Sequence, residues 1–419
     1  MSPEWGKNCF FKAAILILSI LLLPISQAAG QGKSVFEGDQ AAQYYNLPLC
    51  LPGMVNDGTC LFLGPAQTIE EMREAGFPYP PLDLPAAEPS PALSNMPVSV
   101  ARINLDEDDP APIYGSFADA VAGTNPISQI ARGAMRWVSY VNLMYDDNNK
   151  AYVQLSSGGW LRASPAAIPD FQGLVFFETP RNDFGWVVDQ TPTYQAPSFS
   201  AAVSMEPYYR EDVFQVFNQV EAEGVTWYQV APGAWLNSMK FRVVNVNPTR
   251  PEGVETDRWI EINLLQQTLS VYEGGQLIFA TLIASGVENF YTQPGVFQIY
   301  EKKPLELMQG AFEADRSDFY FLQDVPWTMY FDQARALHAA YWRTFFGYPQ
   351  SHGCVNLSPG DAKWLFEWAD VGETVWVHDP SGEPQQTLNI MALVRRSINP
   401  MTNQKNRLVG RFFSVNSKV

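Results

Sequence analysis

Residues 258–286 read RWIEINLLQQTLSVYEGGQLIFATLIASG. Apolar and polar side chains alternate along this stretch, and the pair Gly274-Gly275 interrupts it, which predicts a β-hairpin with a tight turn. The runs TQPGVFQIYEK (292–302) and ETVWVHD (373–379) read as two further strands. The C-terminal part of the chain is therefore expected to be a β-rich unit with little helix.

One amphipathic helix is expected inside this unit, over Ser358–Ala369 (SPGDAKWLFEWA). Its first residue or Asp361 can cap the N-terminus, because short polar side chains accept hydrogen bonds from free backbone amides. Trp364, Leu365 and Trp368 recur at helical spacing and give it one apolar face.

Upstream, residues 98–245 contain a degenerate repeat. The segment AYVQLSSGGWLRAS (151–164) is matched by TWYQVAPGAWLNS (226–238), so that Trp160 and Trp235 lie 75 residues apart. Short alternating runs, turns and a repeated aromatic tail predict two small β-barrel-like modules. The pattern resembles bacterial SH3-like wall-binding modules. The alternative is a pair of spacer domains whose tryptophans belong to their cores.

The chain is predicted to be mostly β and to have several parts. They are a signal peptide or anchor (1–30), a small Cys-paired segment (31–76), a linker with seven prolines (77–97), two β modules (98–170 and 171–247), a C-terminal β-domain (258–379) and a basic tail (380–419). The last 36 residues hold six Lys and Arg and no acid. They would contact acidic wall polymers or the chain's own acidic surface, or form a loose terminus.

Composition narrows the functional classes. Of 419 residues, 46% are hydrophobic and 17% charged, which suits packed domains and excludes wholesale disorder. The net charge of −17 makes the chain a poor ligand for nucleic acid. No cofactor motif is apparent.

The first 30 residues resemble an export signal. The apolar run AAILILSILLL (13–23) is followed by Pro24 and by small residues where a signal peptidase could cut. The alternative is an uncleaved membrane anchor. Either way, the rest of the chain is expected outside the cytoplasm, secreted, periplasmic or wall-associated. Cys50 and Cys60, ten apart in a turn-rich stretch, are then expected to form a local disulfide. Two buried free thiols are the alternative.

Of the four cysteines Cys9 lies in the leader, so Cys354 is left without a partner, and its neighbours suggest a nucleophile. The chain has three histidines, and two of them, His338 and His352, lie near this cysteine. An imidazole favours the reactive thiolate. On an extended strand His352 and Cys354 would share a face, and Gly353 would free nearby amides to stabilise an oxyanion. His338 can return across a hairpin as the general base.

The segment Ser351–Asn356 (SHGCVN), with a histidine 16 residues before the cysteine, resembles the active-site motif of the L,D-transpeptidase (YkuD-like) family. The resemblance covers residues 258–379 and includes the hairpin strands and TQPGVF. It implies a β-sandwich in which Cys354 is the nucleophile and His338 the base. Ser351, His352, Gly353 and Asn356 would support the pocket, and Tyr330 and Trp342 would line the substrate cleft.

The resemblance also implies a reaction, in which the partners are peptidoglycan stem peptides. The cysteine attacks the third residue of a tetrapeptide stem, D-Ala leaves, and an amine of a second stem resolves the thioester to a 3→3 cross-link. This is cell-wall organisation, with consequences for cell shape. If water resolved the thioester instead, the enzyme would be an L,D-carboxypeptidase. If an amine of another protein resolved it, that protein would become anchored to the wall.

Two positions depart from the usual motif. Ala339 follows the base where many members have Gly or Ser, which is compatible with a backbone carbonyl as third partner. Asn356 stands where many members have Arg, which puts in doubt how a substrate carboxylate is held.

Three other functions compete with this interpretation. A papain-like wall endopeptidase would need a histidine after the cysteine, and His378 alone follows it. A zinc site would use His338, His352 and Cys354 as ligands. The third is a wall-binding scaffold with a silent catalytic fold.

Overall fold

The computed structural model describes residues 48–50, 59–61, 65–74, 77, 83–287, 290–312, 315–316 and 318–382. The predicted leader and nearly all of the basic tail lie outside these ranges. The chain divides between Glu71 and Met72 into two units. None of the helices in the described ranges combines the length and hydrophobicity of a membrane-crossing segment.

The first unit contains the disulfide. Cys50 and Cys60 are bonded, with a Cα–Cα distance of 5.0 Å. Beside the bond, the Cys50 amide donates to the carbonyl of Leu61 at 2.9 Å, and the Leu61 amide donates to Pro48 at 2.7 Å. Cys9 lies outside the described ranges, and within them this pairing leaves Cys354 as the free thiol.

The described helices are short. They are α1 (Pro65–Glu74), α2 (Phe117–Ala122), α3 (Pro359–Trp368) and a single 3₁₀ turn (Pro91–Ser94). The strands before residue 250 are β1 (Ala86–Ala87), β2 (Ser99–Arg102), β3 (Ala111–Tyr114), β4 (Pro126–Ile130), β5 (Met135–Tyr140), β6 (Asn142–Tyr145), β7 (Ala151–Gln154), β8 (Trp160–Arg162), β9 (Ser164–Pro165), β10 (Leu174–Phe176), β11 (Phe184–Val187), β12 (Val213–Gln215), β13 (Asn218–Ala222), β14 (Val225–Ala231), β15 (Ala234–Asn237) and β16 (Phe241–Val244). The later strands are β17 (Arg258–Asn263), β18 (Thr268–Glu273), β19 (Gln276–Leu282), β20 (Gly295–Gln298), β21 (Glu301–Gly310), β22 (Tyr320–Asp332), β23 (Arg335–Ala339), β24 (Val355–Leu357) and β25 (Thr374–His378). The mostly β fold class is confirmed.

Two sheets form the sandwich that carries the site. One has the order β1-β10-β19-β18-β17-β25-β20, and the other β24-β23-β22-β5-β2-β9, with β21 paired to β22. Buried side chains from both sheets, among them Ile260, Phe279, Met329 and Leu337, form one core with Leu365 of α3. Burial of apolar side chains at this interface is the main force that holds β23 and β24 in place.

The predicted hairpin and helix are both present. Gly274 and Gly275 have φ angles of 59° and 75°, which glycine adopts without steric cost, and they join β18 to β19. The helix begins one residue after Ser358, whose side chain accepts a hydrogen bond from the Asp361 amide. Asp361 is itself buried and accepts from the Gly173 amide at 2.8 Å and from Thr281 at 2.5 Å.

The predicted β-barrel form of the two upstream modules is wrong, because their strands form open sheets in the described ranges. Residues 98–170 provide the five-stranded sheet β4-β3-β8-β7-β6, while β2, β5 and β9 join the second sheet of the sandwich. Residues 171–247 provide two three-stranded sheets, β12-β11-β16 and β13-β14-β15. In the first module, strand β5 pairs in parallel with β22, far along the chain, rather than closing on its own module. In the second module, strand β10 pairs with β19 of the sandwich. The SH3-like identity and the domain boundaries stay predictions.

Candidate active site

The sandwich brings the predicted nucleophile and base onto neighbouring strands. His338 lies on β23, and Cys354 is the residue before β24, which runs parallel to β23 with His338 opposite Asn356. His338 is 2% exposed, whereas Cys354 is half-buried. The Cys354 thiol contacts the backbone carbonyl of Ala334 at 3.9 Å. The reactive sulfur therefore lies at the start of the edge strand β24, two residues before Asn356, which is the partner of the buried His338 in the sheet.

Both ring nitrogens of His338 have partners. Nδ1 lies 3.0 Å from the backbone carbonyl of Ala339, and Nε2 lies 3.0 Å from the amide nitrogen of Asn356. A carbonyl oxygen only accepts and an amide nitrogen only donates, so Nδ1 carries the proton and Nε2 is free of one. Burial lowers the pKa of His338 to about 4, against a smaller opposing effect of the Ala339 carbonyl. The imidazole is therefore neutral near pH 7 and has its lone pair on Nε2.

The thiol is also neutral in the resting site. Burial raises the pKa of Cys354 above its ordinary value, while a backbone hydrogen bond from Ala336 and the charge of Arg335 oppose that rise. Arg335 is held by an ion pair with Asp332 at 2.7 Å. A neutral thiol must pass its proton to a base as it attacks, because the thiolate is the nucleophile.

The turn before Cys354 has a fixed geometry. Gly353 has φ +109°, and a Cβ there would lie 3.1 Å from Nε of Arg335, so a side chain would be strained. Ser351 accepts from the Gly353 amide at 3.1 Å and donates to the Cys354 carbonyl at 2.5 Å. Residues 352–354 thus form a bend, and the extended strand expected there is wrong. Because the Gly353 amide already has a partner, the oxyanion prediction now falls on the Cys354 amide.

A short segment beneath the turn supports it. Ala284 and Asn356 exchange two backbone hydrogen bonds at 3.0 Å, and the Ser351 amide donates to Ser285 at 2.9 Å. The side chain of Gln267 then holds Ser285 by accepting from its amide at 2.9 Å and donating to its hydroxyl at 2.7 Å. Gln267 is buried with φ 54°, which places its amide group under the catalytic turn.

His352 is separated from the pair by the bend. It is exposed, and its ring stacks against Phe312 at 5.0 Å and Tyr320 at 5.8 Å between centroids, with Phe290 edge-on at 4.8 Å. Partial burial lowers the pKa of His352, opposed by the charge of Asp318. His352 therefore forms part of an aromatic cluster with Phe290, Phe312 and Tyr320, and it lies in a bend rather than on a strand face shared with the sulfur.

The two residues predicted to line the cleft flank the catalytic pair. The ring of Trp342 lies 5.7 Å from that of His338 between centroids, and its indole nitrogen is buried without a hydrogen-bond partner. Tyr330 lies on β22 close enough to Cys354 for a thiolate there to raise the pKa of the phenol, in addition to the larger effect of burial. Their role in binding substrate stays a prediction.

Two competing functions lose their support at this site. Both ring nitrogens of His338 face protein groups, and no group of three His, Cys, Asp or Glu side chains in the described part of the chain is arranged to hold a metal. His378 lies on β25 in the first sheet and bonds Glu261 at 2.8 Å. It is therefore engaged in the opposite sheet from Cys354, which argues against a papain-like arrangement.

Comparison with known proteins points to the same chemistry. The sequence model of the YkuD L,D-transpeptidase catalytic domain matches residues 257–377. YciB of Bacillus subtilis (strain 168), named as an L,D-transpeptidase, is 25% identical over 146 residues, which cover 30% of this chain and 72% of YciB.

Solved structures give similar matches. A mutant of the Enterococcus faecium L,D-transpeptidase is 27% identical with a TM-score of 0.27, and the match covers 29% of this chain and 50% of that one. The E. faecium catalytic domain acylated by ertapenem is 29% identical with a TM-score of 0.27, over 30% of this chain and all of that one. The matched part of this chain thus corresponds to half the length of the first of these two proteins. Because these TM-scores are low, the assignment depends on the family match, the relative and the site geometry. Together they show that residues 257–377 are an L,D-transpeptidase catalytic domain.

Proposed function

We propose that the whole protein is a peptidoglycan L,D-transpeptidase that forms 3→3 cross-links between stem peptides. The observation that carries the proposal is the unprotonated Nε2 of His338 on the strand next to Cys354. A neutral imidazole beside a neutral thiol suits a nucleophile that is deprotonated only as it attacks.

The acyl-transfer step balances with these two residues. The Cys354 sulfur attacks the carbonyl carbon of the third stem residue, and its proton passes to Nε2 of His338, whose lone pair gives up the hydrogen bond from the Asn356 amide to accept it. The carbon–sulfur bond forms first and gives a tetrahedral intermediate, which collapses when the carbon–nitrogen bond to D-Ala breaks and His338 returns the proton to the leaving amine. An amine of a second stem then attacks the thioester, loses its proton to His338, and the thiol is regenerated.

The Cys354 amide is proposed to hold the oxyanion of the tetrahedral intermediate, since the Gly353 amide donates to Ser351. Trp342 and Tyr330 are proposed to contact the stem. Two acceptors other than a stem amine fit the same chemistry. Water would make the enzyme an L,D-carboxypeptidase, and a protein amine would anchor that protein to the wall.

We also propose that the chain works outside the cytoplasm. The apolar leader resembles an export signal or anchor, and the Cys50–Cys60 disulfide is typical of an oxidising compartment. The upstream modules are proposed to bind wall polymers.

Mass spectrometry of muropeptides tests the reaction. The full chain is incubated with wall fragments that carry tetrapeptide stems, with Cys354→Ala as the control. We expect dimers joined 3→3 and free D-Ala with the wild type, and neither with the variant. Tripeptides without dimers would instead identify a carboxypeptidase, and unchanged fragments would favour the silent scaffold.

A further inference from the structure

A third residue is connected to the catalytic histidine through Asn356. Arg343 lies in the loop between β23 and the catalytic turn. Its Nε donates to Oδ1 of Asn356 at 2.5 Å, one terminal nitrogen donates to the Gln350 side-chain oxygen at 3.1 Å, and the other donates to the Gln350 carbonyl. Burial lowers the pKa of Arg343 to about 10, so the guanidinium remains charged near pH 7.

The direction of these bonds allows one arrangement of hydrogens. A guanidinium has only donors, so the Asn356 atom that faces Arg343 must be the oxygen. The Asn356 nitrogen then faces His338 and donates to Nε2, and the Ala339 carbonyl receives the proton on Nδ1. If the amide turned over, its oxygen would face His338 and would favour a proton on Nε2, the form that cannot accept the thiol proton.

We propose that Arg343 is a positioning residue that selects the base-competent tautomer of His338 by fixing the orientation of the Asn356 amide. This inference builds on the proposed function in that His338 is the base. Arg343 does not contact the reacting atoms. It acts through Asn356, and the Ala339 carbonyl is the second restraint on the same ring.

Loss of the Arg343–Asn356 hydrogen bond should have a measurable effect. Hydrogen bonds to charged groups contribute about 1.5–3 kcal/mol, equivalent to roughly tenfold to hundredfold in a rate. A loop-pinning role for Arg343 through Gln350 is the structural alternative. The variant Gln350→Ala provides a matched control, because it removes one contact of Arg343 and leaves the contact with Asn356.

Nitrogen-15 NMR of the imidazole rings reads the tautomer directly, and the chain has three histidines to assign. In the wild type and in Gln350→Ala we expect His338 with a proton on Nδ1 alone. In Arg343→Met we expect a mixture of tautomers and a roughly tenfold to hundredfold slower acylation of Cys354 by ertapenem. Arg343→Lys should recover part of the rate. An unmixed Nδ1–H form together with a wild-type rate in Arg343→Met would overturn the proposal.

A second variant keeps the test informative if Arg343→Met does not fold. In Asn356→Asp, Arg343 gains a carboxylate partner, and the other carboxylate oxygen faces Nε2 of His338. We expect a proton on Nε2 near pH 7 in this variant, and an unprotonated Nε2 there would contradict the mechanism. The NMR readout does not depend on catalysis. A wild type that shows the Nδ1–H form but is not acylated would count against the proposed function and not against this inference.

Discussion

His338 donates from Nδ1 to the backbone carbonyl of its own neighbour, Ala339, across 3.0 Å. A carbonyl thus takes the place that a carboxylate occupies in many catalytic triads. It orients the ring without adding a negative charge, which fits a histidine whose pKa is lowered by burial. The presence of alanine at position 339, where many members of the family have Gly or Ser, is therefore compatible with the role of His338.

Removal of the base should slow acylation. We expect His338→Ala to reduce the rate of Cys354 acylation by ertapenem at least roughly a hundredfold, the usual scale for loss of a general base. Stopped-flow fluorescence measures the rate. His378→Gln is the control, because His378 bonds Glu261 in the other sheet and should react at the wild-type rate. Equal rates for His338→Ala and wild type would remove His338 from the mechanism.

The acylation rate should tolerate acid unusually well. Because the pKa of His338 is lowered to about 4, its Nε2 remains unprotonated well below the ordinary imidazole range, and the rate should fall only near pH 4. The pKa of the Cys354 thiol is raised by burial, so ionisation of the thiol should add no rise in the rate near neutral pH. The acylation rate measured from about pH 4 to neutral pH checks both expectations. A midpoint near pH 6.5 would show that His338 titrates as an exposed histidine.

The stability of the domain should depend on Asp361. Burial raises the pKa of this carboxyl to about 6, so the folded state favours its protonated form. A raised carboxyl pKa contributes stability that is present below the unfolded value and lost as pH rises through 6. Asp361→Asn does not ionise, and it can still accept from the Gly173 amide while its NH2 group donates to the Thr281 hydroxyl. Urea unfolding should show the variant gaining about 3 kcal/mol on the wild type between pH 3.8 and pH 7. A difference in unfolding free energy between the two proteins that does not change with pH would show that the pKa of Asp361 is not raised in the folded state.

The Cys50–Cys60 disulfide should stabilise the backbone around it and should not affect catalysis. Replacement of Cys50 and Cys60 by Ala should speed amide exchange at Cys50 and Leu61, whose amides are bonded beside the bridge, since a loop of this length contributes about 3 kcal/mol. Acylation of Cys354 should be unchanged. Loss of acylation under mild reduction would mean that the pairing of cysteines is different.

Local signals in the sequence were enough for the hairpin and the helix. Gly274-Gly275 has the turn conformation its sequence predicts, and Ser358 caps α3 as expected. The turn and the helix cap are determined by residues that are close together in the sequence. His338 was predicted as the base from its position 16 residues before Cys354 and from the resemblance carried by Ser351–Asn356, and its catalytic role stays a prediction.

The remaining features depend on contacts between distant parts of the chain. The parallel pairing of β5 with β22 joins an upstream module to the sandwich, and no local pattern in either strand predicts its partner. The bend at residues 352–354 is fixed by Thr292, which donates to the Gly353 carbonyl at 2.9 Å. Arg343 was missed because a single arginine in a loop carries no motif, and its role emerges only from its bond to Asn356.

The most direct test of the central claim is the intact mass of the full chain after incubation with ertapenem. If Cys354 is the nucleophile, the wild type should gain the mass of one inhibitor molecule, and Cys354→Ala should gain none. An unmodified wild type, or an adduct that persists in Cys354→Ala, would contradict the account.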